Sequence, residues 1–298
     1  MEEYSTILLQ LREPDGHGRI AKEDKETRRL LMKYGFIGLG NMASAIIEGM
    51  VSSGRFSEDQ ILGFNRSEGK MLKLKEKVGL IPCGSAKETA QQADVIVLAV
   101  KPQMMGGIVE EIAGDVGSEK KVISIAAGLP TSWYEERFSK GVSVVRVMPN
   151  INAKVKAAVT AVCGGMNASE EDIQTAMGIF ETVGKAYRME EKMFSGFGAI
   201  GGASGAFVYL YIDALADAGV RAGFSRPLAV ELATQTVLGS ARLVEETGEH
   251  PIALMNQVCS PAGTTIEGVM TLKKRGFEAA VQDGIEAIIR RDQELSKG

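Results

Sequence analysis

Histidine is nearly missing from this chain: among 298 residues only His17 and His250 carry an imidazole. A dehydrogenase driven by a histidine general base is therefore not expected, and the chemistry should need little acid–base help. Cysteine is scarce as well. Cys83, Cys163 and Cys259 are odd in number and widely spaced, without a Cys-x-x-Cys pair or a nearby histidine to complete a metal site. They read as reduced core or near-core thiols, and Cys259 lacks the histidine that would make it a nucleophile. No metal is expected. Long unbroken apolar runs are also lacking: VIVLAV at 95–100 is far too short to span a bilayer. The start of the chain shows no charged segment followed by a small-residue cleavage site, so a cytoplasmic protein without a membrane role is expected. A formal net charge of −4 with no basic stripe argues against a nucleic-acid partner. The remaining composition is ordinary for a globular protein: 45% hydrophobic and 24% charged residues, in a length that suits two domains.

Residues 1–31 mix the apolar STILLQL with the charged KEDKETRR and do not fit the pattern of the rest of the chain. They read as an extension or non-native start that buries little apolar surface and is poorly ordered, with Met32-Lys33-Tyr34 resembling a native beginning. From residue 32 to 188, the short runs YGFIG, QILGF, VIVLAV, KVISIAA, VSVVRV, AVTAVC and KAYRM alternate with amphipathic stretches. That alternation predicts a parallel sheet flanked by helices. From 189 to 298 the pattern is helical throughout, with Ala, Gly and aliphatic residues on more than one face. Such helices bury against another subunit, so a homodimer at least is expected through the C-terminal helices.

Gly38, Gly40 and Ala43 spell Gly-x-Gly-x-x-Ala between the first apolar strand and the helix MASAIIEGMVSS, which is the setting of a dinucleotide-binding fingerprint. Residues Gly38, Leu39, Gly40, Asn41, Met42 and Ala43 are the expected pyrophosphate loop: Gly38 turns, Gly40 admits the phosphates and Ala43 packs the helix against the strand. The first half is thus expected to be a Rossmann-type domain. After the second strand, where an NAD-selective site places a carboxylate, stand Asn65, Arg66 and Ser67. A guanidinium can clamp a 2′-phosphate while Asn65 and Ser67 supply hydrogen bonds, so NADPH is preferred, with NADH possible. Three further strand ends fit the crevice: Ala99-Val100-Lys101-Pro102, Ala126-Ala127-Gly128 and Asn150. Small residues at 126–128 let a nicotinamide lie close to the backbone, and Asn150 can orient its ribose or carboxamide.

Near the C-terminus, Ser260-Pro261-Ala262-Gly263-Thr264-Thr265 opens a helix. Pro261 and Gly263 shape a turn, Ser260 offers a hydroxyl, and the N–H groups of Gly263, Thr264 and Thr265 are expected to be unclaimed. Such a turn suits a carboxylate. The alternative is that Ser260-Pro261 simply caps the helix.

The stretch PIALMNQVCSPAGTTIEGVMTLK, from Pro251 to Lys273, resembles the signature of the pyrroline-5-carboxylate reductase family. The resemblance runs from Lys33 over nearly the whole chain through YGFIGLGNMA, AVKPQ, SIAAG, VMPN and IDALADAGVRAG. It implies a cyclic imine substrate, Δ1-pyrroline-5-carboxylate, reduced to L-proline in proline biosynthesis. Reduction of a protonated C=N needs mainly a hydride donor in line, which suits a chain so poor in histidine. The resemblance further implies that Ser260 and the N–H groups of Gly263, Thr264 and Thr265 hold the substrate carboxylate. The Thr265 hydroxyl would contact the ring nitrogen, making it the most sensitive residue.

The chain departs from the family in places. Gly201-Gly202-Ala203-Ser204-Gly205-Ala206-Phe207 stands where Ser-Gly-Ser-Gly-Pro-Ala-Tyr is usual, and Ile151-Asn152 replaces Thr-Pro. Near Lys156-Ala157-Ala158 a Gly-Glu-Gly is lost. Rival readings exist: a reductase of a related imine, a reductase of the β-hydroxyacid type, for which Lys185 or Lys192 would be the acid–base group, and a paralogue that binds NADPH without turnover.

Overall fold

The structure is a computed structural model that describes residues 31–295, so the segment read as an extension lies outside the described residues but for Leu31. The strands are β1 (Tyr34–Ile37), β2 (Ile61–Phe64), β3 (Ile81–Pro82), β4 (Val95–Leu98), β5 (Lys121–Ser124), β6 (Ser143–Met148), β7 (Ala158–Gly164) and β8 (Gly184–Arg188). They lie in the order β3-β2-β1-β4-β5-β6-β7-β8, and neighbours from β3 through to β6 pair in parallel. Helices α1 (Asn41–Ser52), α2 (Glu68–Val78), α3 (Ala86–Gln92), α4 (Pro102–Ile112), α5 (Thr131–Glu135) and α6 (Glu170–Phe180) are interspersed among them. From Phe194 onward the chain is helical: α7 (Phe194–Phe197), α8 (Gly205–Arg221), α9 (Arg226–Thr247), α10 (Pro251–Val258), α11 (Thr264–Lys274) and α12 (Phe277–Leu295). The expected sheet-then-helices order is the observed one.

Two compact units emerge. The first comprises residues 31–147, 153–157 and 164–184, and the second residues 148–152, 158–163 and 185–295.

In the first unit every side chain of β1 and β4 is buried, as continuous apolar runs in a doubly covered parallel sheet must be. Phe36, Ile37, Ile96 and Leu98 are wholly inaccessible. Each such side chain contributes about 1.5–3 kcal/mol over an exposed one. Gly35 in β1 is a packing glycine: a Cβ there would come within 2.7 Å of Ala93 Cβ and Thr89 Cγ2, so α3 could not lie so close to the sheet.

One buried polar cluster anchors this unit. Asp172 Oδ2 accepts from Ser169 N at 2.9 Å, Ser169 Oγ at 2.8 Å and Ser143 Oγ at 2.8 Å, while Lys121 Nζ lies 3.1 Å from Oδ1. Burial alone would raise the Asp172 pKa, but these hydrogen bonds outweigh it and hold the carboxyl below its ordinary value.

The second unit is built differently. Along α8 only Ala216 is buried and along α9 only Ala229 and Ala233, while no residue of α10 or α11 is. Helices α8 and α9 meet along small residues: a Cβ on Gly219 would sit 3.0 Å from Ala229 Cβ. Arg226 at the start of α9 pairs with Asp217, and its other terminal nitrogen lies 3.8 Å from Asp213. Among the described residues the larger side chains have nothing to cover them: Leu210 is 69% exposed, Val258 66% and Met270 55%.

The run Glu191–Arg221 is, among the described residues, the one long and apolar enough to cross a membrane by length and composition alone. No such segment was expected from unbroken apolar runs, because glycine, alanine and isolated charges interrupt this one without lowering its average much. Within it, residues Gly198–Ala203 form a π-helix, closed by Ser204 N donating to Ala199 O at 3.0 Å. Asn150 Nδ2 donates to the Gly201 carbonyl at 2.7 Å, inside that wider turn.

Candidate active site

Strand pairing gathers the residues of the first unit that are expected to hold the cofactor. Ile37 is the register partner of both Phe64 and Leu98, and Leu98 is that of Ser124. Four loops, at 38–43, 65–67, 99–102 and 125–128, therefore leave the carboxyl edge of adjacent strands side by side, where ligands bind in such sheets.

Gly38 takes φ +98, and its N–H reaches Phe64 O at 2.8 Å. A Cβ there would lie 2.8 Å from Val100 Cγ1 and 2.9 Å from Ala99 C and O. Gly40 is the N-cap of α1 at φ −72, an ordinary value, and a Cβ would meet nothing within 4 Å. That open space is the shape a pyrophosphate needs. No side chain caps α1, and its first internal bond runs from Ser44 N to Gly40 O at 2.9 Å. The N–H groups of Asn41, Met42 and Ala43 thus point outward without an intrahelical acceptor, a ready anion site. Leu39 differs from the expectation. Its side chain is fully buried and its N–H donates to Asn65 Oδ1 at 3.0 Å, so it serves packing and the loop's shape.

Arg66 and Ser67 are exposed at the entry to α2, and Arg66 forms no ion pair among the described residues. Ser67 is the N-cap of α2, without a side-chain capping bond. Both are available to a phosphate. Lys101 and Pro102 start α4, with the proline at the favoured first position, and both are exposed, while Ala99 and Val100 are half-buried. Ala126 is buried, whereas Ala127 and Gly128 are exposed, with Gly128 at φ +81. Beneath them Ser124 Oγ accepts from Ala126 N at 3.2 Å and bonds the Tyr134 hydroxyl at 2.6 Å. Burial pushes the Tyr134 phenol above its ordinary pKa, against a smaller opposing effect of Ser124. Neither Ser124 nor Tyr134 was singled out in the sequence, since nothing but folding brings them under the loop.

Asn150 belongs to the second unit. With Nδ2 on Gly201 O and Oδ1 3.4 Å from Val159 N, its amide holds the π-helical turn and the start of β7. A cavity of about 610 Å³ opens beside that turn, lined by Tyr187, Met189, Met193, Phe197 and Ile200 among others.

In the turn at 260–265, Ala262 adopts φ +56, uncommon for a residue with a Cβ. Gly263, the N-cap of α11, departs from the expectation: its N–H is not free but closes the turn onto Ser260 O at 3.0 Å. Its lack of a side chain is what the turn requires, since a Cβ would lie 2.3 Å from Ser260 Oγ. The N–H groups of Thr264 and Thr265 in the first helical turn remain. The Thr265 hydroxyl bonds nothing among the described residues, whereas Thr234, Thr236, Thr247 and Thr271 tie back to the carbonyl four residues earlier at 2.7–2.9 Å. For Thr265 that carbonyl belongs to Pro261, outside the helix.

His250 caps α10 by accepting from Ile252 N at 3.2 Å. The two lysines of the β-hydroxyacid reading are ion-paired at the surface: Lys185 with Glu245 and Lys192 with Glu190, both at 2.5 Å. Glu245 raises the Lys185 pKa, the wrong direction for a base near neutral pH.

These features define an NADP(H)-dependent oxidoreductase with a dinucleotide-binding sheet followed by helices. Residues 33–128 match the family described as NADP oxidoreductase, coenzyme F420-dependent, and residues 191–295 match that described as pyrroline-5-carboxylate reductase dimerisation. The chain is 39% identical over 265 residues to the pyrroline-5-carboxylate reductases of Methanosarcina acetivorans and of Escherichia coli K12, covering 89% of this chain and 98% of each relative. The solved pyrroline-5-carboxylate reductase of Coxiella burnetii superimposes with a TM-score of 0.85 at 31% identity, over 90% of this chain and 99% of that one. That of Plasmodium falciparum, solved with NADP bound, gives 0.79 at 31%, with the same coverage. The chain belongs to the pyrroline-5-carboxylate reductase family, and it is a homo-oligomer. The uncovered apolar faces of α8–α11 fall within the dimerisation match.

Proposed function

We infer that this protein reduces Δ1-pyrroline-5-carboxylate to L-proline with NADPH, and that residues 32–188 carry the cofactor while residues 189–298 carry the substrate and the dimer contacts. The observation that carries the substrate reading is the turn at 260–265. Its geometry offers two outward N–H groups, the Ser260 hydroxyl and a Thr265 hydroxyl without a partner among the described residues. The fit of the cofactor is supported by the space over Gly40, the uncapped start of α1 and the exposed Arg66, which has no ion pair among the described residues.

Chemically, the N–H groups of Thr264 and Thr265 and the Ser260 hydroxyl hold the carboxylate, aided by the partial positive charge at the start of α11. The Thr265 hydroxyl contacts the ring nitrogen and keeps the C=N bond in one orientation. The N–H groups of Asn41, Met42 and Ala43 hold the pyrophosphate, Arg66 and Ser67 the 2′-phosphate, and the small residues 126–128 leave room for a nicotinamide ring. When bound, the reduced cofactor supplies a hydride to the carbon of the protonated imine, and the nitrogen keeps its proton. No side chain has to act as a base, which accords with a chain that has only two histidines. A cytoplasmic setting, with its reduced NADPH pool, suits this direction.

The test is NADPH oxidation with pyrroline-5-carboxylate, beside NADH and a Thr265→Ala variant. Turnover that prefers NADPH and falls about a hundredfold in kcat/KM in the variant is expected, the size of loss seen on removing one preorganised donor. Tight NADPH binding without turnover would instead favour the non-catalytic paralogue.

A further inference from the structure

Asn65 is half-buried between the two loops that hold the charged parts of the cofactor. Its Oδ1 accepts from Leu39 N at 3.0 Å, and its Nδ2 donates to Ser67 O at 3.0 Å. Sheet pairing ends one residue earlier, with the bond from Gly38 N to Phe64 O at 2.8 Å. Past that point Arg66 and Ser67 are exposed, and no side chain caps the next helix, α2. The amide of Asn65 is thus the side-chain link between the pyrophosphate loop and the Arg66–Ser67 loop.

We propose that Asn65 is a positioning residue that determines the preference for NADPH over NADH by latching these two loops together, without contacting the cofactor itself. The pyrophosphate and the 2′-phosphate lie a fixed distance apart along one nucleotide. A protein grips both only when its two anion sites are held at the matching separation; a loop that must be ordered on binding lowers affinity. NADH lacks the 2′-phosphate and draws little on the Arg66–Ser67 loop, so the latch favours NADPH selectively. Occupying the Leu39 N–H also leaves the pyrophosphate to the donors of Asn41, Met42 and Ala43. The proposal rests on assigning the pyrophosphate to residues 38–43 and the 2′-phosphate to Arg66 and Ser67.

The experiment is calorimetric titration of the full chain and its Asn65→Ala and Arg66→Met variants with NADPH, NADH and 2′-AMP. Loss of the latch is expected to weaken NADPH about tenfold, near 1.4 kcal/mol and comparable to one or two neutral hydrogen bonds. NADH and 2′-AMP, which does not span the two loops, should weaken less than about twofold. If 2′-AMP weakens as much as NADPH, Asn65 touches the nucleotide directly and the proposal is wrong; unchanged NADPH binding overturns it as well. Arg66→Met should weaken NADPH and 2′-AMP together. If it leaves both unaltered, the assignment of the 2′-phosphate itself fails, a result separable from failure of the latch. Asn65→Ser, polar but too short to span the loops, is expected to give the same pattern and keeps the test open if the alanine variant does not fold.

Discussion

Two glycines of one loop, two residues apart, should respond to the same substitution in opposite ways. Gly38→Ala places a methyl group 2.8 Å from Val100 Cγ1 and 2.9 Å from the carbonyl group of Ala99, at a backbone φ of +98. Backbone atoms cannot step aside as a flexible side chain can. The φ penalty is roughly 1–2 kcal/mol and the overpacking roughly 1–3 kcal/mol, about 3 kcal/mol together. In a chain of this size that lowers Tm by about 6–12 °C. Gly40→Ala meets no atom within 4 Å and keeps an ordinary φ of −72, so its stability should match the parent's within about 0.5 kcal/mol. Its methyl group instead occupies the space through which the pyrophosphate approaches. NADPH affinity should fall by roughly ten- to a hundredfold, since an intruding methyl group costs about 1–3 kcal/mol. Differential scanning fluorimetry without ligand, then NADPH titration, separates the two effects. A Gly40→Ala protein that binds NADPH like the parent would refute the assignment of this loop to the pyrophosphate, and a Gly38→Ala protein of unchanged Tm would refute the steric reasoning.

Other consequences are equally measurable. The depressed pKa of Asp172 means that the unfolded chain binds its proton more readily, so this group adds stability in full above the unfolded value of about 3.9 and loses it as pH falls towards the folded one. Asp172→Asn should cost about 2–3 kcal/mol at pH 7 and flatten the acid limb of a urea-denaturation series below about pH 5; an acid limb as steep as the parent's would count against the cluster. Tyr134→Phe removes the 2.6 Å bond to the buried Ser124 hydroxyl, costing about 1–2 kcal/mol. Because Ser124 also supports Ala126, kcat should drop several-fold while the KM for the imine stays level, and steady-state kinetics in which only KM moved would disprove that support.

Much of the candidate site is legible in the sequence, because its cues are local. The Gly-x-Gly-x-x-Ala spacing between an apolar strand and a helix fixes a turn, a close approach and a packing contact within six residues. Gly38 and Gly40 have the backbone and the surroundings that this spacing requires. The turn before α11 was likewise readable from Pro261 and Gly263, although its inner bond was not: Gly263 N closes on Ser260 O, so this donor belongs to the turn. Residues whose partners are distant in sequence were harder to read. Asn65 and Asn150 looked like cofactor ligands, yet their amides reach Leu39, 26 positions away, and Gly201, 51 positions away.

By itself, then, the sequence determined the order of sheet and helices, the dinucleotide loop, the guanidinium in place of a carboxylate after β2, and the signature of the reductase family. These rest on periodicity, on glycine's freedom and on charge, which act over a few residues. Only the tertiary structure decided which polar groups remain free to meet a ligand. A hydrogen bond is satisfied by whatever the fold brings within about 3 Å, and no local pattern records that Asn65 finds Leu39, that Tyr134 finds Ser124, or that the Thr265 hydroxyl finds no partner among the described residues.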